Sequence, residues 1–124
     1  MIDITPQRPA GRQSIDSYQA GWFRIAGAVH EGSVIVFPDR VVAWPVAAFA
    51  EVTAETLAEV LAGTGVELLL IGTGAEPQPI PKALRAAARE AGIGIDAMAT
   101  PAACRTYNIL LSEQRAVAAA LLAL

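Results

Sequence analysis

Apolar residues along this chain fall into short unbroken runs, alternating runs and helical rows, and glycine or proline separates them. Residues 68–71 read Leu-Leu-Leu-Ile and lead into Gly72-Thr73-Gly74. An unbroken apolar run that stops at glycine predicts a strand buried on both faces, with a loop at its carboxyl end. Residues 93–98, Ile-Gly-Ile-Asp-Ala-Met, predict a second buried strand. As parallel neighbours, these strands bring the 72–74 loop and the segment after Met98 to one crevice. Open α/β sheets hold their ligands at such crevices.

The other elements follow in chain order. Residues 1–13 hold Pro6, Pro9 and Gly11 and predict a flexible lead-in; residues 14–124 are expected to form one domain. Short strands are predicted at 14–18 and 22–25, around 19–21. A hairpin of 34–37 and 41–44 is predicted about Pro38-Asp39-Arg40, and Pro45 ends it. Thr53 is placed to cap a helix, with Val52 and Leu57 as a staple and Leu57, Val60 and Leu61 on one face. Gly63 or Gly65 is expected to stop that helix in the left-handed conformation. Pro81 opens a second helix, with Ile80, Leu84, Ala87, Ala88 and Ala91 on its apolar face. Lys82, Arg85 and Arg89 form a basic stripe on the same helix, whose default reading is a solvated face. Thr100 as N-cap and Pro101 at the first helical position open a third helix. Residues 116–124 favour helix on composition, because alanine and leucine dominate. Strands first, then α-β-α-β-α, describe an α/β domain with a partly parallel sheet, an added N-terminal β-hairpin region and about three helices.

Composition narrows the partners. A chain of 124 residues supports one core, and 54% hydrophobic against 17% charged residues excludes disorder. The net charge of −3 argues against a nucleic-acid binder held by phosphate contacts. One cysteine excludes an internal disulfide. The opening Met-Ile-Asp-Ile-Thr-Pro lacks the pattern of a signal peptide, and no apolar run reaches the roughly 20 residues of a membrane helix. The expectation is a cytoplasmic domain without membrane insertion.

Candidate chemistry is sparse. Gly72-Thr73-Gly74 departs from a dinucleotide fingerprint, because Glu76 and three prolines separate it from the next helix. Cys104 falls near the start of a helix, where the dipole and Arg105 favour a thiolate, yet the only histidine, His30, is distant in sequence. Free cysteine is also a small core hydrophobe. His30-Glu31 is too poor a ligand set for a metal and reads as a hairpin-loop pair. Asp39 is explained by its turn, and Asp96 by an outward strand position. Arg105 and the free N–H groups near Thr100 are the best small-anion site. The candidate crevice is therefore Gly72, Thr73, Gly74, Thr100, Cys104 and Arg105, with no catalytic residue, cofactor or metal assigned.

Met98, Thr100-Pro101, Ala103-Cys104-Arg105-Thr106-Tyr107-Asn108, Leu110, Glu113, Arg115, Val117 and Ala119-Ala120-Leu121 form a specific pattern. Together with Leu70-Ile-Gly-Thr-Gly74, this pattern resembles an uncharacterised family that includes mitochondrial complex I assembly factor 3 and the adipogenesis-associated domain protein. The resemblance implies a three-layer α/β sandwich with a mixed central sheet. It also implies a returning strand over 114–122, in place of the helix that composition favours, and an end to the third helix near Ser112. It implies no catalytic residues, and action through protein partners in assembly of respiratory complex I. Two readings stand: a non-catalytic protein-interaction domain, or a small-molecule or anion-binding domain acting as a weak enzyme through Cys104. An exposed hairpin edge offers a route to homo-oligomers.

Overall fold

The computed structural model describes residues 2–4, 12–63 and 65–124. Strands β1 (Ile2–Asp3), β2 (Ile15–Gln19), β3 (Trp22–Ile25) and β4 (Ala28–Glu31) form an antiparallel sheet in that order. A second sheet contains β5 (Val34–Phe37), β6 (Arg40–Ala43), β7 (Leu68–Gly72), β8 (Gly94–Met98) and β9 (Val117–Leu121). Its order is β6-β5-β9-β7-β8. β7 runs parallel to both β8 and β9, whereas β5 is antiparallel to β6 and β9, so the sheet is mixed.

Period-two alternation divides the core between the two faces of this sheet. Leu70, Val117, Ala119 and Leu121 meet the helix α3 (Thr100–Ser112) and, from the small sheet, Ile15, Tyr18, Phe23 and Ile25. Leu69, Ile71, Ala118 and Ala120 meet Leu57 and Val60 of the α1 region and Leu84 of α2 (Lys82–Glu90). α1 itself is Ala58–Ala62. The result is the expected three layers: small sheet with α3, central mixed sheet, α1 with α2.

Several elements differ from expectation. The alanine-rich tail is a strand, β9, as the family resemblance implies and against its helical composition. It lies between β5 and β7, buried on both faces, where tertiary context overrides propensity. β8 is an edge strand and only partly buried. The helix expected from Thr53 opens as a 3-10 turn, Glu55–Leu57, before the five residues of α1. Ala54, not Thr53, is the N-cap residue of that turn, although Thr53 Oγ1 accepts from Thr56 N at 3.3 Å and Thr56 Oγ1 accepts from Thr53 N at 2.9 Å just before and within it. Gly63 is extended (φ −76°), and of the two candidate glycines it is Gly65 that has positive φ (+90°). The necessity of Gly63 is steric, since a Cβ would stand 2.8 Å from Glu59 O. The expected flexible lead-in over 1–13 lies mostly outside the described residues. Within it, Ile2–Asp3 pair with β2, and Ile4 N donates to Asp16 O at 2.8 Å.

Candidate functional site

β7 connects through α2 to β8 on one side, and β8 connects through α3 to β9 on the other. The two helices cover opposite faces of the sheet. The carboxyl ends of β7 and β8, adjacent strands whose next helices lie on opposite faces, are therefore the topological switch point, where a doubly wound sheet holds its ligand. In this chain the backbone itself occupies that place. Thr100 N donates to Gly74 O at 2.8 Å. Thr100 Oγ1 accepts from Gly74 N at 2.9 Å and donates to Leu122 O at 2.8 Å. Leu122 N donates to Gly72 O at 3.0 Å, and Thr73 N to Met98 O at 2.8 Å. Thr73 Oγ1 turns back to Glu76 O at 2.6 Å. A Cβ on Gly72 would meet Thr100 Oγ1 at 2.9 Å and Leu121 Cδ2 at 3.0 Å, so glycine is required by contact. Gly72, Thr73, Gly74 and Thr100 thus come together as predicted, but as a closed seam.

The start of α3 is also less open to an anion than its sequence suggests. Ala99, not Thr100, is the N-cap residue, and Thr100 is the first helical residue. A helix start offers an anion its unpaired N–H groups. Here the Thr100 N–H is taken, Pro101 has none, and Ala103 N already bonds Ala99 O at 3.0 Å.

Cys104 lies fully buried on the inner face of α3. Burial pushes its thiol up to about 12, Arg105 opposing only in part, which is the reverse of the direction expected for a reactive thiolate. Arg105 is exposed and has no ion pair among the described residues. His30 lies on β4, opposite Phe23, rather than in a hairpin loop. No group of three or more His, Cys, Asp or Glu is placed to hold a metal among the described residues. Asp39 pairs with Arg40 at 3.2 Å, and Asp96 Oδ1 accepts from its neighbour Ala97 N at 2.9 Å on the edge strand. These two carboxylates stand at opposite edges of the central sheet, because Asp39 precedes β6.

Sequence reasoning missed Asn108. Its Oδ1 accepts from Ile15 N and its Nδ2 donates to Ile15 O, both at 2.8 Å, which clasps the small sheet to α3. No local signal marks it, since its partner is 93 residues away. Two surface hollows lined by described residues lie apart from Thr100. One, of 480 Å³, lies between α1 and α2 against Ala58, Leu61 and Ala87. The other, of 430 Å³, is walled by Ser33, Trp44, Pro45 and Ala123.

This arrangement defines the class: a three-layer α/β domain of the Mth938-like type. The solution structure of such a domain from Bordetella pertussis is similar, with a TM-score of 0.82 and 27% identity, covering 98% of this chain and 92% of that one. The chain belongs to the family described as protein of unknown function DUF498/DUF598, which matches residues 15–122. An uncharacterised protein of Rhodobacter capsulatus is 41% identical over 121 residues, 96% of this chain and 93% of its own length. NADH dehydrogenase [ubiquinone] 1 alpha subcomplex assembly factor 3 of Danio rerio is 30% identical over 122 residues, 98% of this chain and 70% of that protein. The resemblance to the family of complex I assembly factor 3 therefore holds.

Proposed function

We propose that this chain is a non-catalytic protein-interaction domain that assists assembly of respiratory complex I, or of another membrane complex, from the cytoplasm. The observation that carries this reading is the filled switch point. The crevice that would hold a substrate is hydrogen-bonded to itself through Thr100. The named role of the Danio rerio relative supports the assembly assignment. No helix among the described residues is long and apolar enough to cross a membrane. In this reading Gly72, Thr73, Gly74, Thr100 and Cys104 hold the frame rigid, and Arg105 is the crevice residue that faces a partner.

Deletion of the gene in its native host tests this proposal. Assembled complex I on native gels is expected to fall by half or more, and the intact gene to restore it. Unchanged levels of complex I and of every other respiratory complex would overturn the assembly reading.

A further inference from the structure

The cations of this chain are unevenly committed. Arg40 pairs with Asp39 and Glu59, both at 3.2 Å, and lies 3.8 Å from the Phe37 ring centroid. Arg24 lies over the Trp22 ring. Lys82, Arg85 and Arg89 differ: all three are exposed on α2, and none has an ion pair among the described residues. Their spacing, i, i+3 and i+7, places them in one row along about 10 Å of helix axis. In a chain of net charge −3, this row is a local reversal of sign. Ala83 and Ala86 beside it are also exposed, which leaves a low apolar floor under the charges.

We propose that this α2 ridge docks an acidic helical segment of a protein partner. The inference rests on the interaction reading above and deepens it. Carboxylates three to four residues apart on such a segment project in one row and match the row of cations. The alanines permit the close approach that helix packing needs. A small anion would need an enclosing cup, and neither hollow is lined by Lys82, Arg85 or Arg89. A bilayer would grip a surface helix through large apolar side chains as well as charge. Those exposed here, Ile2, Val29, Ile109 and Leu124, all lie off α2. Nucleic acid requires a wider basic footprint than three cations.

The test is an amide-resolved NMR titration of the whole chain with four probes. These are an alanine-rich helical peptide with glutamates at i, i+3 and i+7, its lysine counterpart, phosphatidylserine-containing vesicles and a single-stranded oligonucleotide. The glutamate peptide is expected to shift the amides of Lys82–Glu90, with affinity falling at least about tenfold as salt screens the pairs. The K82E/R85E/R89E variant, whose changes are all on exposed positions, is expected to keep a dispersed spectrum and lose the response. Arg85→Glu alone should weaken it. An unmoved α2 with the glutamate peptide, equal binding by the triple variant, or tighter binding of vesicles or oligonucleotide at α2 would overturn the proposal. Complex I content in the deletion strain reports separately on the assembly role, so the ridge can fail while that role stands.

Discussion

The two helices on opposite faces of the central sheet use their chemistry in opposite ways. α3 carries a threonine, a cysteine, a tyrosine and an asparagine on one buried face: Thr100, Cys104, Tyr107 and Asn108. It is enclosed between two sheets, so each of these groups is drawn into packing or hydrogen bonding. α2 has one sheet beneath it and keeps Lys82, Arg85 and Arg89 exposed. The most distinctive residues of the chain thus form the frame, and a row of cations free to meet a partner sits on the plainer helix, whereas α3 exposes the single Arg105. A buried polar group left without a partner costs free energy, so most are satisfied within the protein, whereas surface cations keep water as an alternative.

The strongest way to break this contrast is Asn108→Leu. The change keeps the branched side-chain shape and leaves Ile15 N and O without partners in a buried setting. A stability loss of about 3–4 kcal/mol is expected in urea denaturation, because each orphaned buried group costs about 1–3 kcal/mol. A loss below about 1 kcal/mol would mean that Asn108 is no clasp and that the small sheet is held by apolar contact alone.

The same contrast explains what could be read in advance. β7, β8, α2, α3 and the β5–β6 hairpin announce themselves through local apolar runs, prolines and turn residues, because their signals lie within each segment. β4 does not: Ala28-Val-His-Glu31 has no alternation, and its strand state depends on pairing with β3. β9 reads as helix because alanine has no local reason to be a strand. Its place between β5 and β7 decides the matter. Four of the six candidate residues, Gly72, Thr73, Gly74 and Thr100, stand together because parallel β7 and β8 fix that neighbourhood, whereas Cys104 is buried in the core and Arg105 is exposed. That Thr100 closes the crevice was not legible, because its hydroxyl partners lie 22 and 26 residues away.

A smaller effect sharpens the reading of Cys104. Its thiol titrates near 9.0 when unfolded and is pushed up to about 12 by burial. The folded state therefore holds its proton more tightly than the unfolded chain. The stabilisation this provides is complete below pH 9.0 and is lost as pH rises from there toward about 12. Cys104→Ala removes this contribution. The variant is expected to be about 1 kcal/mol less stable near neutral pH, through lost packing. Above pH 9.0 the gap should close, by up to about 1.4 kcal/mol per pH unit. A gap that stays constant into the alkaline range would show an accessible thiol and return Cys104 to the list of reactive groups.

The smallest effect is expected at Tyr107. Its ring is fully buried, and its hydroxyl has no hydrogen-bond partner among the described residues. Burial raises the phenol above its ordinary range; Arg12 opposes this and Asp39 adds to it. A buried hydroxyl without a partner keeps its desolvation penalty and gains no bond in return. Tyr107→Phe deletes the penalty and keeps the ring, so stability should change by less than about 0.5 kcal/mol or rise slightly. The usual result at a satisfied tyrosine is a loss of about 1 kcal/mol. Such a loss would reveal a bond to this hydroxyl and make Tyr107 a second tether beside Asn108. A neutral result would leave Asn108 and Thr100 as the polar side chains that hold α3, with the tyrosine acting through its ring alone.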